Sequence, residues 1–110
     1  MAQLSSDTLA SIEQQAAALA TTILKGYAAQ ATQDAKDFLA ATQGQLDQWL
    51  TLLANNQITQ KNFASLVRGE SDLAELHALK EAGLAQVSLD AFTSGLMEIV
   101  VNAALAAIKV

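Results

Sequence analysis

One histidine and a few carboxylates are the residues of this chain whose types and spacing could do chemistry. His77 and Glu81 are four positions apart, so on a helix they would share one face and could bind a metal ion together. A di-iron bundle needs Glu-x-x-His motifs from more than one helix, whereas Glu75 and His77 are only two apart and would point to different helix faces. We therefore predict no metal site and expect His77 to lie at the surface, paired with Glu81.

Two pairs of carboxylates also stand at helical spacing, Asp34 with Asp37 and Asp72 with Glu75. Each pair lies among polar residues, which is typical of a solvated helix face and not of an acid/base pair. With one histidine in the chain, no serine, threonine or lysine has a flanking signature for an activated nucleophile. The five glycines are isolated from one another, so no phosphate loop is present. We predict no enzymatic activity and no cofactor.

Composition narrows the class of protein further. The 110 residues include no cysteine and no proline, and the formal net charge is −5. The absence of cysteine excludes disulfides and thiolate metal sites, and the absence of proline permits long helices. The negative charge would repel phosphate backbones, so we expect no nucleic acid as a partner. The first residues lack a basic stretch followed by an apolar one, so we expect no secretory signal and a cytoplasmic protein.

The elements that must position these residues are helices. Apolar residues recur every three or four positions from Leu9 onward, and no clear stop precedes Asn55. Four residues follow one another eleven positions apart, close to three helical turns, and so define one stripe: Ala16, Tyr27, Phe38 and Trp49. The pattern favours a single helix over residues 7–54, about 70 Å long. The alternative is a break at Gly26 or Gly44, which would give an ordinary four-helix monomer.

The second half of the chain predicts shorter helices. Thr59 is a good N-cap for a helix over residues 59–68, and Ser71 could cap the first of one or two helices over residues 71–110. In the last helix the polar residues form a narrow stripe with a spacing of four, made by Asp90, Ser94, Glu98 and Asn102. Because most of the remaining circumference is apolar, this helix should lie at the centre of the bundle or between subunits.

Together these patterns predict an all-α fold, a helical bundle that forms a single domain over residues 1–110. A helix of about 70 Å does not fit a 110-residue globule with a radius of gyration of about 13 Å, so we expect a homo-oligomer. The partner would cover the aromatic stripe and the last helix. The predicted interaction residues are Tyr27, Phe38, Trp49, Phe92, Leu96 and Ile99.

The function we expect from these features is that of a non-enzymatic scaffold, adaptor or assembly protein that acts through self-association and protein–protein contacts. A first alternative is a peripheral protein that binds lipid or membrane surfaces through amphipathic helices, although the scarcity of basic residues disfavours it. A second alternative is a small metal-dependent bundle enzyme, in which His77 would bind a metal with carboxylates from neighbouring subunits.

Overall fold

The structure is a computed structural model that describes residues 5–24 and 26–108, and the regular structure within these ranges is helical throughout. This confirms the all-α class. The described residues form five α-helices and one 3₁₀ turn. In chain order these are α1 (Ser6–Ile23), α2 (Ala28–Ala54), α3 (Gln60–Gly69), the 3₁₀ turn (Ser71–Leu73), α4 (His77–Glu81) and α5 (Gln86–Ala107).

The predicted single helix over residues 7–54 is wrong, because the chain turns back between α1 and α2. Gly26 lies in this turn with a φ of +101°, a conformation that L side chains rarely adopt. Of the two break positions considered, Gly26 is therefore the one used, and Gly44 remains inside α2. Because the chain turns back, α1 and α2 pack against each other, and this packing compensates for the helical hydrogen bonds lost at the break. The spacing of apolar residues in the sequence does not show which of these two effects is larger.

The break also divides the stripe with the eleven-residue spacing. Ala16 and Phe38 are buried in the core, but they lie on different helices, and half-buried Tyr27 stands outside both helices as the N-cap residue of α2. The folded chain has a radius of gyration of 13.7 Å and extends over 43 × 24 × 20 Å. A single copy therefore fits the size expected for a 110-residue globule.

Helix α5 packs against both α1 and α3. The two helices α1 and α5 approach closely at Gly95, where an added Cβ would overlap the Leu19 side chain. The four polar residues predicted to form a narrow stripe, Asp90, Ser94, Glu98 and Asn102, are all exposed. The last helix is thus central, and its polar stripe faces outward.

Helix α3 follows the prediction closely. Thr59 is its N-cap and accepts a hydrogen bond from the backbone N–H of Asn62, whose side chain accepts one from the backbone N–H of Thr59. This reciprocal arrangement satisfies two backbone donors at the start of the helix. Asn62 had no predicted role, because the usual residue at this position of a capping box is Glu or Gln.

The segment after α3 differs from the helix predicted to begin at Ser71. A 3₁₀ turn covers Ser71–Leu73, and α4 begins only at His77. Between them Leu76 has a φ of 55°, in the left-handed region, which costs a residue with a side chain about 1–2 kcal/mol. Leu76 is nevertheless buried, so tertiary packing holds the strained residue in place. The predicted end of the last helix at residue 110 lies outside the described residues.

Candidate interaction surface

The six predicted interaction residues do not form one exposed surface. Phe38, Phe92 and Leu96 are at most 1% exposed, so a single chain covers these side chains itself. Tyr27, Trp49 and Ile99 are half-buried and pack against the same core. Tyr27 and Trp49 stand near opposite ends of α2, separated by about 33 Å of helix. Contact of these half-buried residues with a partner stays a prediction.

The histidine contacts a different carboxylate from the one expected. His77 Nε2 lies 3.4 Å from Glu75 Oε2, and both side chains are largely exposed. The rule that residues two apart face different ways holds inside a helix, but Glu75 and the left-handed Leu76 precede α4. Within residues 5–24 and 26–108, no group of three or more histidine, aspartate and glutamate side chains is placed to hold a metal ion. Among the described residues His77 therefore has Glu75 beside it but is not part of a group of three possible ligands.

Asp34 was expected on a solvated face together with Asp37, and for Asp34 this prediction is wrong. The Asp34 carboxylate is only 3% exposed and accepts hydrogen bonds of 2.9 Å from the backbone N–H groups of Ala78 and Leu79. Both N–H groups belong to the first turn of α4, where backbone donors have no partner within the helix. The N-cap residue of α4 makes no side-chain hydrogen bond to them. Asp37 remains exposed and accepts a hydrogen bond from Gln33. Asp34 therefore connects α2 with α4, a contact that sequence spacing does not reveal.

A second long-range polar contact joins α3 to α5. The Arg68 guanidinium donates from Nε to Glu98 Oε2 at 2.7 Å and from Nη2 to Glu98 Oε1 at 2.9 Å. This hydrogen bonding and the charge attraction lower the pKa of Glu98 and raise that of Arg68 from their ordinary values. Both side chains are about half exposed, so solvent screens the pair. Its paired geometry suits alignment of the two helices and not catalysis.

A concave surface lies at one end of the bundle, between the C-terminal ends of α2 and α5 and the start of α3. This groove has a volume of about 730 Å³. Its described lining is apolar or uncharged throughout: Leu53, Ala54, Asn56, Ile58, Thr59, Gln60, Leu105, Ala106 and Ile108. We call it the end groove. Sequence reasoning missed it, because its walls come from three separate elements.

The opposite end of the bundle carries exposed apolar side chains. Leu19 of α1 lies against Gly95 of α5, and the start of α1 and the end of α5 line one cleft, so the two helices are antiparallel. Ile23 at the end of α1 and Val87 at the start of α5 therefore lie at the end away from the groove. They are 39% and 76% exposed. One end of the molecule thus carries a groove with apolar and uncharged polar lining, and the other end carries exposed apolar side chains, which we call the projection.

Helix α5 is also long and apolar enough, by length and composition alone, to cross a membrane. A core helix of a bundle meets the same criterion, and seven residues of α5 are buried in the core: Leu89, Phe92, Leu96, Met97, Val100, Val101 and Ala104. Its exposed side carries Asp90 and Glu98, charged groups that are costly at the centre of a bilayer. In this structure part of the apolar surface of α5 is buried by packing within the bundle.

Comparison of the chain with protein-family models, with curated proteins and with solved structures finds no match.

Proposed function

We propose that this protein is a non-enzymatic helical module that associates with further copies of itself and acts as a scaffold or assembly component. The end groove is the observation that carries the proposal. Its volume of about 730 Å³ is within the range of binding clefts, and apolar side chains such as Leu53, Ile58 and Leu105 line it. Burying this apolar surface against a partner would be favourable, because it removes that surface from water.

The occupant we propose is the opposite end of a second copy. No charged residue contributes to the described lining of the groove, so an apolar projection suits it better than a charged ligand. The chain offers such a projection in Val87, which is 76% exposed on the first turn of α5, with Ile23 at the same end. Contact between unlike ends is heterologous, so successive copies would assemble into a linear polymer unless they close into a ring.

The size of the bundle end limits the strength of this contact. The two short dimensions of the molecule are 24 and 20 Å, so an end-to-end contact would bury on the order of 400 Å² per copy. That is about half of what a stable interface buries on each side. The net charge of −5 adds repulsion between copies. We therefore propose weak, concentration-dependent association that strengthens with salt.

Sedimentation velocity over a wide concentration range tests the proposal. The wild-type protein should show a rising weight-average mass, and Ile108→Gln in the groove should abolish the rise. Leu66→Gln is the matched control, because Leu66 is another exposed apolar residue but lies on α3 outside the groove lining. A wild-type protein that keeps the single-chain mass at all concentrations and salt levels would contradict the proposal.

A mixing experiment tests the head-to-tail arrangement. Val87→Gln changes the projection and leaves the groove intact, whereas Ile108→Gln changes the groove and leaves the projection intact. Each variant alone should remain a monomer, and an equal mixture should form dimers between the two intact ends. If Val87→Gln associates as strongly as the wild type, the projection is not the occupant.

Binding to a lipid surface is the second candidate function. The observation that favours it is that α5 is long and apolar enough to cross a membrane. The charge of −5 opposes attraction to anionic headgroups, and the exposed stripe of α5 is polar and acidic. Co-sedimentation with neutral and with anionic vesicles tests this alternative. We expect the protein to stay in the supernatant with both, and recovery in the vesicle pellet would favour the lipid function instead.

A further inference from the structure

Residues 71–83, which we call the strap, cross one face of α2 between the end of α3 and the start of α5. The strap contains the 3₁₀ turn and the five-residue helix α4. It ends at Gly83, whose φ of +87° places it in a region that favours glycine. We propose that the strap is a conformational latch, which opens as a unit while the bundle of α1, α2, α3 and α5 stays folded, and that the Asp34 carboxylate holds it closed.

The internal hydrogen bonds of the strap are local. Ala74 donates its N–H to the carbonyl of Ser71, Lys80 donates to Leu76, and Ala82 donates to Ala78. These three bonds stay within the strap, and a further bond, from the N–H of Leu73 to the carbonyl of Glu70, joins the strap only to the residue that follows α3. A segment of this kind can detach without breaking the hydrogen bonds of the longer helices, which is the condition for opening as a local unit.

Asp34 supplies the hydrogen bonds that tie the strap to α2. Its two carboxylate oxygens accept separately from the N–H groups of Ala78 and Leu79, each at 2.9 Å. The partners are 44 and 45 residues apart in the chain, so the bonds form only when the strap is docked. Leu76 and Leu79 add apolar burial on the same side. The attachment of α4 to α2 therefore combines one polar contact with two buried leucines, and the 3₁₀ turn of the strap also packs against α2, α3 and α5.

The backbone of Leu76 indicates that the closed state is held under strain. Leu76 is kept in the left-handed region with a φ of 55°, and release of the strap would let this residue relax to an ordinary conformation. A pocket of about 70 Å³ lies between the strap and α2, and its lining combines apolar residues such as Phe38 with ionisable ones such as Asp34 and Glu75. Opening would uncover Asp34 and the ring of Phe38, which are both buried in the closed state.

Amide hydrogen exchange of Asp34→Asn and Asp37→Asn tests the latch. The asparagine at position 34 keeps one acceptor oxygen but presents an amide N–H₂ where the second oxygen accepted, so one bond to α4 is lost. The diagnostic amides are those of Lys80 and Ala82, because they bond within the strap and do not touch Asp34. In Asp34→Asn they should exchange at least about tenfold faster, while interior amides of α2 and α5 keep their rates.

Asp37→Asn removes the same charge from an exposed position one turn away and should leave the strap amides unchanged. If both variants accelerate the strap, charge and not the Asp34 contact is responsible, and the proposal fails. It fails also if Asp34→Asn accelerates all helices equally or leaves Lys80 and Ala82 unaffected. Should Asp34→Asn not fold, exchange of the wild-type protein in low urea decides. The free energy of opening measured from the strap amides must then depend only weakly on urea concentration, because a local opening exposes little surface. If the strap amides instead exchange with the same free energy and urea dependence as global unfolding, the proposal is overturned.

Discussion

At the scale of single residues, identical side chains have different roles because their surroundings differ. Asp34 and Asp37 are three positions apart on α2, yet Asp34 is buried against the start of α4 and Asp37 is exposed. Gly26 and Gly44 differ in the same way. Gly26 adopts a φ of +101° in the turn between α1 and α2, whereas Gly44 is an exposed residue in the interior of α2. The two members of each pair are the same residue type, so the sequence does not distinguish them. Their neighbours in three dimensions decide which member is buried or lies in a turn.

We predict that alanine at the two glycine positions changes stability in opposite directions. Gly26→Ala should lower the free energy of unfolding by about 1–2 kcal/mol, because a residue with a Cβ is strained at positive φ. Gly44→Ala should raise it by about 1 kcal/mol, because nothing lies within 4 Å of the added Cβ and alanine favours the helix. Urea denaturation of both variants measures the two changes. A gain of stability in Gly26→Ala would mean that α1 and α2 do not turn at this glycine.

At the scale of elements, the helices are held together mainly by apolar packing, and specific polar contacts join only a few of them. Helix α5 meets α1 through the close approach of Gly95 to Leu19, and it meets α3 through Arg68 and Glu98. The sequence predicted α3 and its cap because a local pattern encodes both. The partner of Arg68 was not predicted, because Glu98 lies 30 residues away.

The contact between α3 and α5 predicts a pH-dependent contribution to stability. The hydrogen bonds from Arg68 lower the pKa of Glu98, so the folded state favours the ionised carboxylate. This contribution is present above the pKa of about 4.3 that is usual for an unfolded glutamate. It is lost as the pH falls through the lower pKa of Glu98 in the folded protein.

Titration of the Glu98 carboxyl group by NMR checks this prediction. In Arg68→Gln the pKa of Glu98 should rise toward its ordinary value, because the hydrogen bonds and the charge attraction are removed. Lys61→Gln, which removes a positive charge from an exposed position of the same helix, should leave the pKa of Glu98 in place. An unchanged pKa in Arg68→Gln would show that the two side chains do not pair in solution.

At the scale of the whole molecule, one core is shared by the four longer helices. Its largest fully buried side chains include Phe38 and Leu46 of α2, Phe63 of α3, and Phe92 and Leu96 of α5. Because one chain shelters these residues, the apolar positions of residues 7–54 and the apolar last helix do not require a partner. The proposed self-association rests instead on the end groove and on the exposed Val87 at the opposite end.

The position of α5 in this core predicts unequal effects of two similar substitutions. Leu96→Ala should lower the free energy of unfolding by about 2–5 kcal/mol, because Leu96 is fully buried and the change leaves a cavity. Ile99→Ala should cost less, because Ile99 is only half-buried. Gln43→Ala serves as a control outside the core. Denaturant unfolding orders the three variants, and equal losses for Leu96→Ala and Ile99→Ala would show that α5 packs differently.

The sequence by itself determined the helical class, the cap at Thr59 and the outward polar stripe of α5, because short-range periodicity and capping chemistry encode these features. It did not determine whether the first apolar stripe continues past Gly26. It also did not reveal that Asp34 would be buried against α4 or that three elements would enclose a groove. Those outcomes depend on which distant surfaces meet when the chain folds back on itself. Burial of apolar surface between α1, α2 and α5 decides which surfaces meet. Local helix propensity depends only on neighbouring residues in the sequence and therefore does not predict these contacts.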